Sequence, residues 1–180
     1  TQAQKRVIDE IRNDLHKKTP MHRLLQGDVG SGKTIVAVFT ILKAVQGGHQ
    51  GALMAPTEVL AEQHYLGISK LLEDLIVADS TNLLGDRPLQ VDLLTNRTST
   101  ADRKRISNGL EDGTVDFIIG THSLIQESVS FNSLGAVVID EQHRFGVEQR
   151  AALKEKNKDE TIPDILVMTA TPIPRTAAMT

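Results

Sequence analysis

Short apolar runs alternate along this chain with longer stretches in which apolar residues recur at helical spacing. The runs are Leu24-Leu25-Gln26, Ala52-Leu53-Met54, Val91–Leu94, Phe117–Ile119, Val137–Ile139 and Ile165–Met168. Ile35–Val45 and Val59–Leu75 are the clearest helical stretches between them. Strands buried on both faces read as near-continuous apolar runs, not as alternation. Strands that alternate with helices build βαβ units. The pattern therefore predicts an α/β fold: a parallel β-sheet with helices on both faces. Ligands in such sheets bind at the carboxyl ends of the strands, so the residues that follow each run are the ones to read for chemistry. Asp79–Gln90, polar and containing Gly85-Asp86-Arg87-Pro88, reads as a loop. Lys154–Glu160, a run of mixed charge, reads as a solvated helix end.

The first run is followed by Gly27-Asp28-Val29-Gly30-Ser31-Gly32-Lys33-Thr34, which fits G-x-x-x-x-G-K-[ST]. Glycines at 27, 30 and 32 let the chain curl so that backbone N–H groups, that of Ser31 among them, point inward at a phosphate. The helix that follows adds its positive amino end. Lys33 is expected to reach the β- and γ-phosphates from a solvent-facing position, and Thr34 to offer a hydroxyl to Mg²⁺. A flexible Gly-rich turn is the bland alternative, but a strand before and a helix after are the context that a phosphate loop requires. The implied ligands are ATP and Mg²⁺.

Asp140-Glu141-Gln142-His143 directly follows Val137–Ile139. A P-loop enzyme needs an acid at a neighbouring strand end to hold Mg²⁺, and Asp140 suits that role. Glu141 can orient and deprotonate the attacking water. The catalytic set is then Lys33, Asp140 and Glu141. The spacing of Glu141 and His143 is not that of an H-E-x-x-H zinc site.

Composition narrows the partners. The 180 residues suffice for one domain with a core. The absence of cysteine excludes a disulfide scaffold and a thiolate metal site and fits a reducing cytoplasm. The aliphatic runs are far too short to cross a bilayer, and no secretory leader is visible. A first residue of Thr1 rather than Met suggests an excerpt of a longer protein. A formal net charge of -3 does not favour holding nucleic acid by bulk electrostatics. Aromatics at 3%, with no Trp, do not favour base stacking. Contact with nucleic acid is then local or shared with other parts.

The phosphate loop, the Asp-Glu-x-His block and Thr169-Ala170-Thr171 together resemble the first RecA-like lobe of superfamily-two helicases. Gln26–Thr34, Ala55-Pro56-Thr57-Glu58-Val59-Leu60-Ala61-Glu62-Gln63-His64, Asp140–Val147 and Met168–Thr176 more narrowly resemble the RecG-type, branch-migrating DNA helicases. The resemblance covers nearly the whole chain. Gln142 tips it towards that type, because transcription-repair coupling factors and primosomal helicases carry Glu there; their equivalent lobe is the alternative.

The resemblance implies a P-loop NTPase lobe over residues 1–180, ATP hydrolysis coupled to remodelling of branched DNA (replication forks, Holliday junctions) in recombination and repair, and a bacterial, cytoplasmic, monomeric protein. A second RecA-like lobe and a wedge domain would lie outside this chain. It assigns Gln4 to the adenine edge, and Gln4, Gly27, Gly30, Ser31, Gly32, Lys33 and Thr34 to nucleotide binding. Pro56, Thr57, Gly120, Thr121, His122 and His143 become DNA-facing or coupling residues, and Thr169 and Thr171 link hydrolysis to movement between lobes. Arg175 lies outside the family's finger motif. Thr95-Asn96 stands where the family shows Thr-Gly. A stand-alone P-loop kinase would need an arginine-bearing lid, which the sequence lacks, and has no use for Thr169-Ala170-Thr171. A non-enzymatic nucleic-acid module conflicts with the charge and the scarcity of aromatics.

Overall fold

All six strands that the apolar runs predict are present, and together they form one parallel sheet. The structure is a computed structural model describing residues 1–27, 32–78, 83, 85–125, 129–140, 147–158 and 161–170. The strands are β1 (His22–Gln26), β2 (Gln50–Met54), β5 (Val91–Leu94), β6 (Phe117–Gly120), β7 (Leu134–Asp140) and β8 (Asp164–Thr169), in the order β1-β8-β7-β2-β6-β5. All neighbouring pairs are parallel.

Alternate side chains of the strands enter two separate cores. Leu53, Phe117, Ile119, Val138, Leu166 and Met168 pack beneath α1 (Gln2–Leu15), α2 (Lys33–Gln46) and α3 (Glu58–Leu71). Ala52, Met54, Ile118, Val137, Ile139 and Ile165 pack beneath α4 (Thr100–Asp112) and α5 (Val147–Glu155). The continuous apolar runs of the inner strands are thus explained, since both of their faces are covered, whereas edge strand β1 leaves Leu24 exposed. Gly51 lets α2 lie against β2, because a Cβ there would stand 2.1 Å from Ile41 Cγ2.

Three expectations need correction. Asp79–Gln90 is not all loop: Arg87–Pro88 forms a two-residue strand, β4, antiparallel to β3 (Ile76–Val77). Arg87 grips Asp116 through both guanidinium nitrogens, at 2.7 and 2.8 Å, and so pins this ribbon to the start of β6. Residues 79–82 and 84 lie outside the described set. The helical stretch predicted to Leu75 ends at Leu71, and Ile76 and Leu75 instead enter the ribbon segment. Nor is Lys154–Glu160 simply solvated. Lys156 and Asn157 are buried, and the Asn157 carboxamide donates to Leu134 O and Thr161 O while accepting from Leu134 N–H.

Among the described residues no helix is long and apolar enough to cross a membrane.

Candidate active site

The strand registers align the carboxyl ends in one row. Gln26 is level with Thr169, Asp140 with Met168, Ile139 with Met54, and Met54 and Leu94 with Gly120. Every candidate residue described lies on this edge or on the helices that rise from it. β1 and β7 flank β8, so the start of the phosphate loop and Asp140 are about 10 Å apart, two strand spacings.

The amino end of α2 differs from those of its neighbours. Thr1, Thr57 and Ser99 cap α1, α3 and α4 with side-chain oxygens. α2 begins at Gly32 with φ 83° and no side-chain cap. Among the described residues no side chain caps its first-turn N–H groups, and no acidic residue occupies that turn. Helix amino-end N–H groups, the helix dipole and an adjacent lysine are the kind of group that can hold an anion. Gly32 is required by its left-handed φ; a Cβ there would also fall 1.8 Å from Gln4 Nε2, the mobile end of a side chain that could swing aside. The Gln4 carboxamide thus packs directly over Gly32, although the two are far apart in sequence.

Gln4 is held there by α1. Its backbone N–H donates to Thr1 Oγ1 at 3.3 Å, and its Oε1 accepts from the Thr1 amine at 3.0 Å, a capping box. Arg23 of β1 donates to Asp14 at 2.8 Å and Glu10 at 2.7 Å, pinning the helix to the edge strand. Hydrogen bonds from Lys17 and Arg23 hold the Asp14 carboxyl below the usual carboxylate range.

Lys33 is not solvent-facing as expected. It is partly buried, and its ammonium donates to Gly27 O at 2.7 Å. Gly27 N–H in turn donates to Thr169 O at 3.1 Å. Lys33, Gly27 and Thr169 form one chain of hydrogen bonds, so the loop is tied to the end of β8. Thr34, the next helical residue, is exposed.

Asp140 ends β7 and is mostly shielded. Its Oδ2 accepts a hydrogen bond from His64 Nε2 of α3 at 2.6 Å. Sequence reasoning missed this partner, since His64 lies outside every motif that carries nucleotide chemistry. Among the described residues no group of three or more His, Cys, Asp or Glu could form a metal cage. One carboxylate and one hydroxyl nevertheless fit Mg²⁺, which takes hard oxygen donors, keeps several waters and usually binds through one or two carboxylates plus substrate phosphates.

The other half of the row is less uniform. Pro56 and Thr57 are exposed, and Thr57 Oγ1 caps α3 by accepting from Leu60 N–H at 3.2 Å. Gly120 has no room for a side chain: a Cβ would stand 2.3 Å from Leu94 O. Thr121 is buried, with its hydroxyl 3.3 Å from that of Ser123. His122 is the exposed member of that block. Beyond β5, Thr95 is buried and Arg97 is exposed, its guanidinium paired with Glu58 at 2.9 Å and Glu62 at 3.6 Å. Gly30, Ser31, Glu141, His143, Thr171 and Arg175 lie outside the described residues.

A parallel sheet with a phosphate loop after one strand and an acid after the next strand but one defines a P-loop NTPase domain. The DEAD/DEAH box helicase family model matches residues 1–180, and the chain belongs to that family. It is 58% identical over 180 residues to the ATP-dependent DNA helicase RecG of Synechocystis, covering 100% of this chain and 20% of that protein. It is 50% identical over 179 residues to the RecG of Aquifex aeolicus, covering 99% of this chain and 21% of the relative. The chain thus spans about a fifth of these relatives' length. Among solved structures, RecG bound to a three-way DNA junction superposes with a TM-score of 0.80 at 44% identity, over 99% of this chain and 22% of that one. The Mycobacterium smegmatis helicase Lhr, bound to ssDNA and AMP-PNP, shares the fold, with a TM-score of 0.68 at 18% identity over 93% of this chain and 23% of that one.

Proposed function

We propose that this chain is the ATP-binding lobe of a RecG-type DNA helicase, coupling ATP hydrolysis to remodelling of branched DNA in a bacterial cytoplasm. The observation that carries the reading is the amino end of α2, capped by no side chain among the described residues, with Lys33 on it and Gln4 packed across Gly32. The identity to RecG proteins over the whole chain supports the branched-DNA part.

In this reading the α2 N–H groups and Lys33 hold the β- and γ-phosphates, and Lys33 exchanges Gly27 O for phosphate oxygen as they arrive. The Gln4 carboxamide offers a donor and an acceptor to the adenine edge, the pairing geometry used to read adenine in DNA. Thr34 and Asp140 are the Mg²⁺ residues; bound Mg²⁺ neutralises charge developing on the phosphates. Glu141 takes the proton from the attacking water. Thr169 links the loop to the segment that carries Thr171, and Pro56, Thr57, Gly120, Thr121, His122 and His143 form the DNA-facing and coupling surface. The protein acts as a monomer with a second RecA-like lobe and a wedge domain.

Nucleotide binding tests the site. Lys33→Ala is expected to weaken ATP affinity at least tenfold with little change in melting temperature, since it removes one hydrogen bond and no core packing. Gln4→Ala is expected to erase a preference for ATP over GTP in competition. Unchanged ATP affinity in Lys33→Ala would remove the phosphate-loop assignment.

A further inference from the structure

We propose that His64 is a positioning residue for Asp140: its imidazole fixes the orientation of the metal acid and ties that acid to α3. The inference rests on the reading of Asp140 as a Mg²⁺ residue.

The two side chains come from elements distant in sequence and meet in a largely shielded place. His64 Nε2 lies 2.6 Å from Asp140 Oδ2, with the side chains 16% and 11% exposed. A carboxylate only accepts hydrogen bonds, so Nε2 carries the hydrogen. Among the described residues no other side chain bonds this carboxylate.

The bond has little to add to folding at either end. α3 is already anchored by Ala61 and Ile68, and by Leu72 just after its end, all buried in the core. β7 is fixed by pairing on both sides and by Val137, Val138 and Ile139, all buried. What the strand leaves free is rotation of the Asp140 side chain, and that is what His64 restrains. It engages one carboxylate oxygen and leaves the other for a cation or its water. Carboxylates that serve metals are commonly held in this way by an outer hydrogen bond, and losing that bond typically costs about 10–100-fold in metal affinity or activity.

The location gives the bond a second consequence. His64 stands seven residues along α3 from Thr57, about 10 Å up the helix axis and nearly on the same side. The metal acid is therefore joined to the helix whose amino end carries Pro56 and Thr57, and a displacement of that end is passed to Asp140 without crossing the sheet.

The test uses the full-length protein and a fluorescent ATP analogue, titrated with Mg²⁺ and, separately, in EDTA. His64→Ala is expected to leave affinity in EDTA within about twofold of the parent. The Mg²⁺ concentration needed for half-maximal tightening is expected to rise about 10–100-fold. His64→Gln, which can place a side-chain N–H near the same point, is expected to recover most of the loss. His64→Leu, which fills the volume without a donor, should behave like His64→Ala and replaces it if His64→Ala does not fold. In an Asp140→Asn background, His64→Ala should add nothing further. A normal Mg²⁺ requirement in His64→Ala or His64→Leu, with Asp140→Asn impaired, overturns the role of His64 alone. A normal requirement in Asp140→Asn overturns the metal-acid reading beneath it.

Discussion

Asp14 on α1 accepts hydrogen bonds from Lys17 and Arg23, and these hold its carboxyl below the usual range. Asp164, at the start of β8, is pushed the other way. Burial penalises its charge more than the Met21 N–H, 2.6 Å from Oδ1, favours it. The consequences for stability have opposite signs. A depressed carboxyl contributes stability that is present above its unfolded pKa and is lost as pH falls through the folded value. A raised carboxyl costs nothing while protonated in both states, and the cost grows as pH climbs from the unfolded value through the folded one. Asn at 164 can still accept from Met21 but cannot ionise. Asp164→Asn is therefore expected to raise the melting temperature near neutral pH, with the gain fading towards about pH 4, where the unfolded carboxyl protonates. Thermal melts across that range check it, and a variant that melts lower throughout would mean the charge itself is needed. Residues of this kind were illegible in the sequence. The places of Lys33 and Asp140 at the carboxyl edge were readable because each sits in a contiguous motif after an apolar run. The contacts of Gln4 with Gly32 and of His64 with Asp140 join segments that only the fold brings together, and no periodicity announces a pair.

Two glycines separate what an element tolerates from what it requires. Gly67 lies within α3, and a Cβ there would meet nothing within 4 Å. Gly120 ends β6, where a Cβ would stand 2.3 Å from the Leu94 carbonyl and 2.9 Å from Leu124 Cγ. A flexible side chain can yield, but the backbone of a paired strand cannot. Gly67→Ala is expected to stabilise by about 0.5–1 kcal/mol, the usual cost of glycine inside a helix. Gly120→Ala is expected to destabilise by about 1–3 kcal/mol through overpacking. Denaturant unfolding of both variants checks the pair, and a neutral Gly120→Ala would show that β5 and β6 can part at this end. At the scale of elements the apolar runs located all six sheet strands; burial on both faces leaves an uninterrupted signature in the inner strands, while the edge strand β1 kept only Leu24-Leu25. β3 and β4 had none: two residues are too few for a period, and Pro88 reads as a turn. Asn157 was hidden inside a charged run for a related reason. Its burial depends on bonding the main chain of β7, which composition cannot express.

For the molecule as a whole, the decisive question is how much of a motor 180 residues contain. In the proposed reading the carboxyl edge, with Lys33, Thr34 and Asp140, supplies one side of a nucleotide site, and a second lobe with an arginine finger would supply the other. The chain spans about a fifth of the RecG relatives it matches, which leaves ample length for that lobe in proteins of their size. We expect residues 1–180 alone to bind adenine nucleotide weakly, hydrolyse it slowly and unwind nothing. Arginine fingers are worth on the order of 10³–10⁵ in rate, so the deficit in turnover should be of that size. The DNA grip should also be weak. The net charge is -3, and Arg97, a cation exposed near the edge proposed to face DNA, is already paired with Glu58 and Glu62. Phosphate would have to compete with two carboxylates for it, so what binding remains should fall steeply with salt. The measurement is ATP turnover of the 180 residues, with and without forked DNA, beside a chain of the relatives' length. Turnover by the isolated residues that matches the DNA-stimulated rate of the longer chain would overturn the two-lobe reading and make this lobe a self-sufficient NTPase.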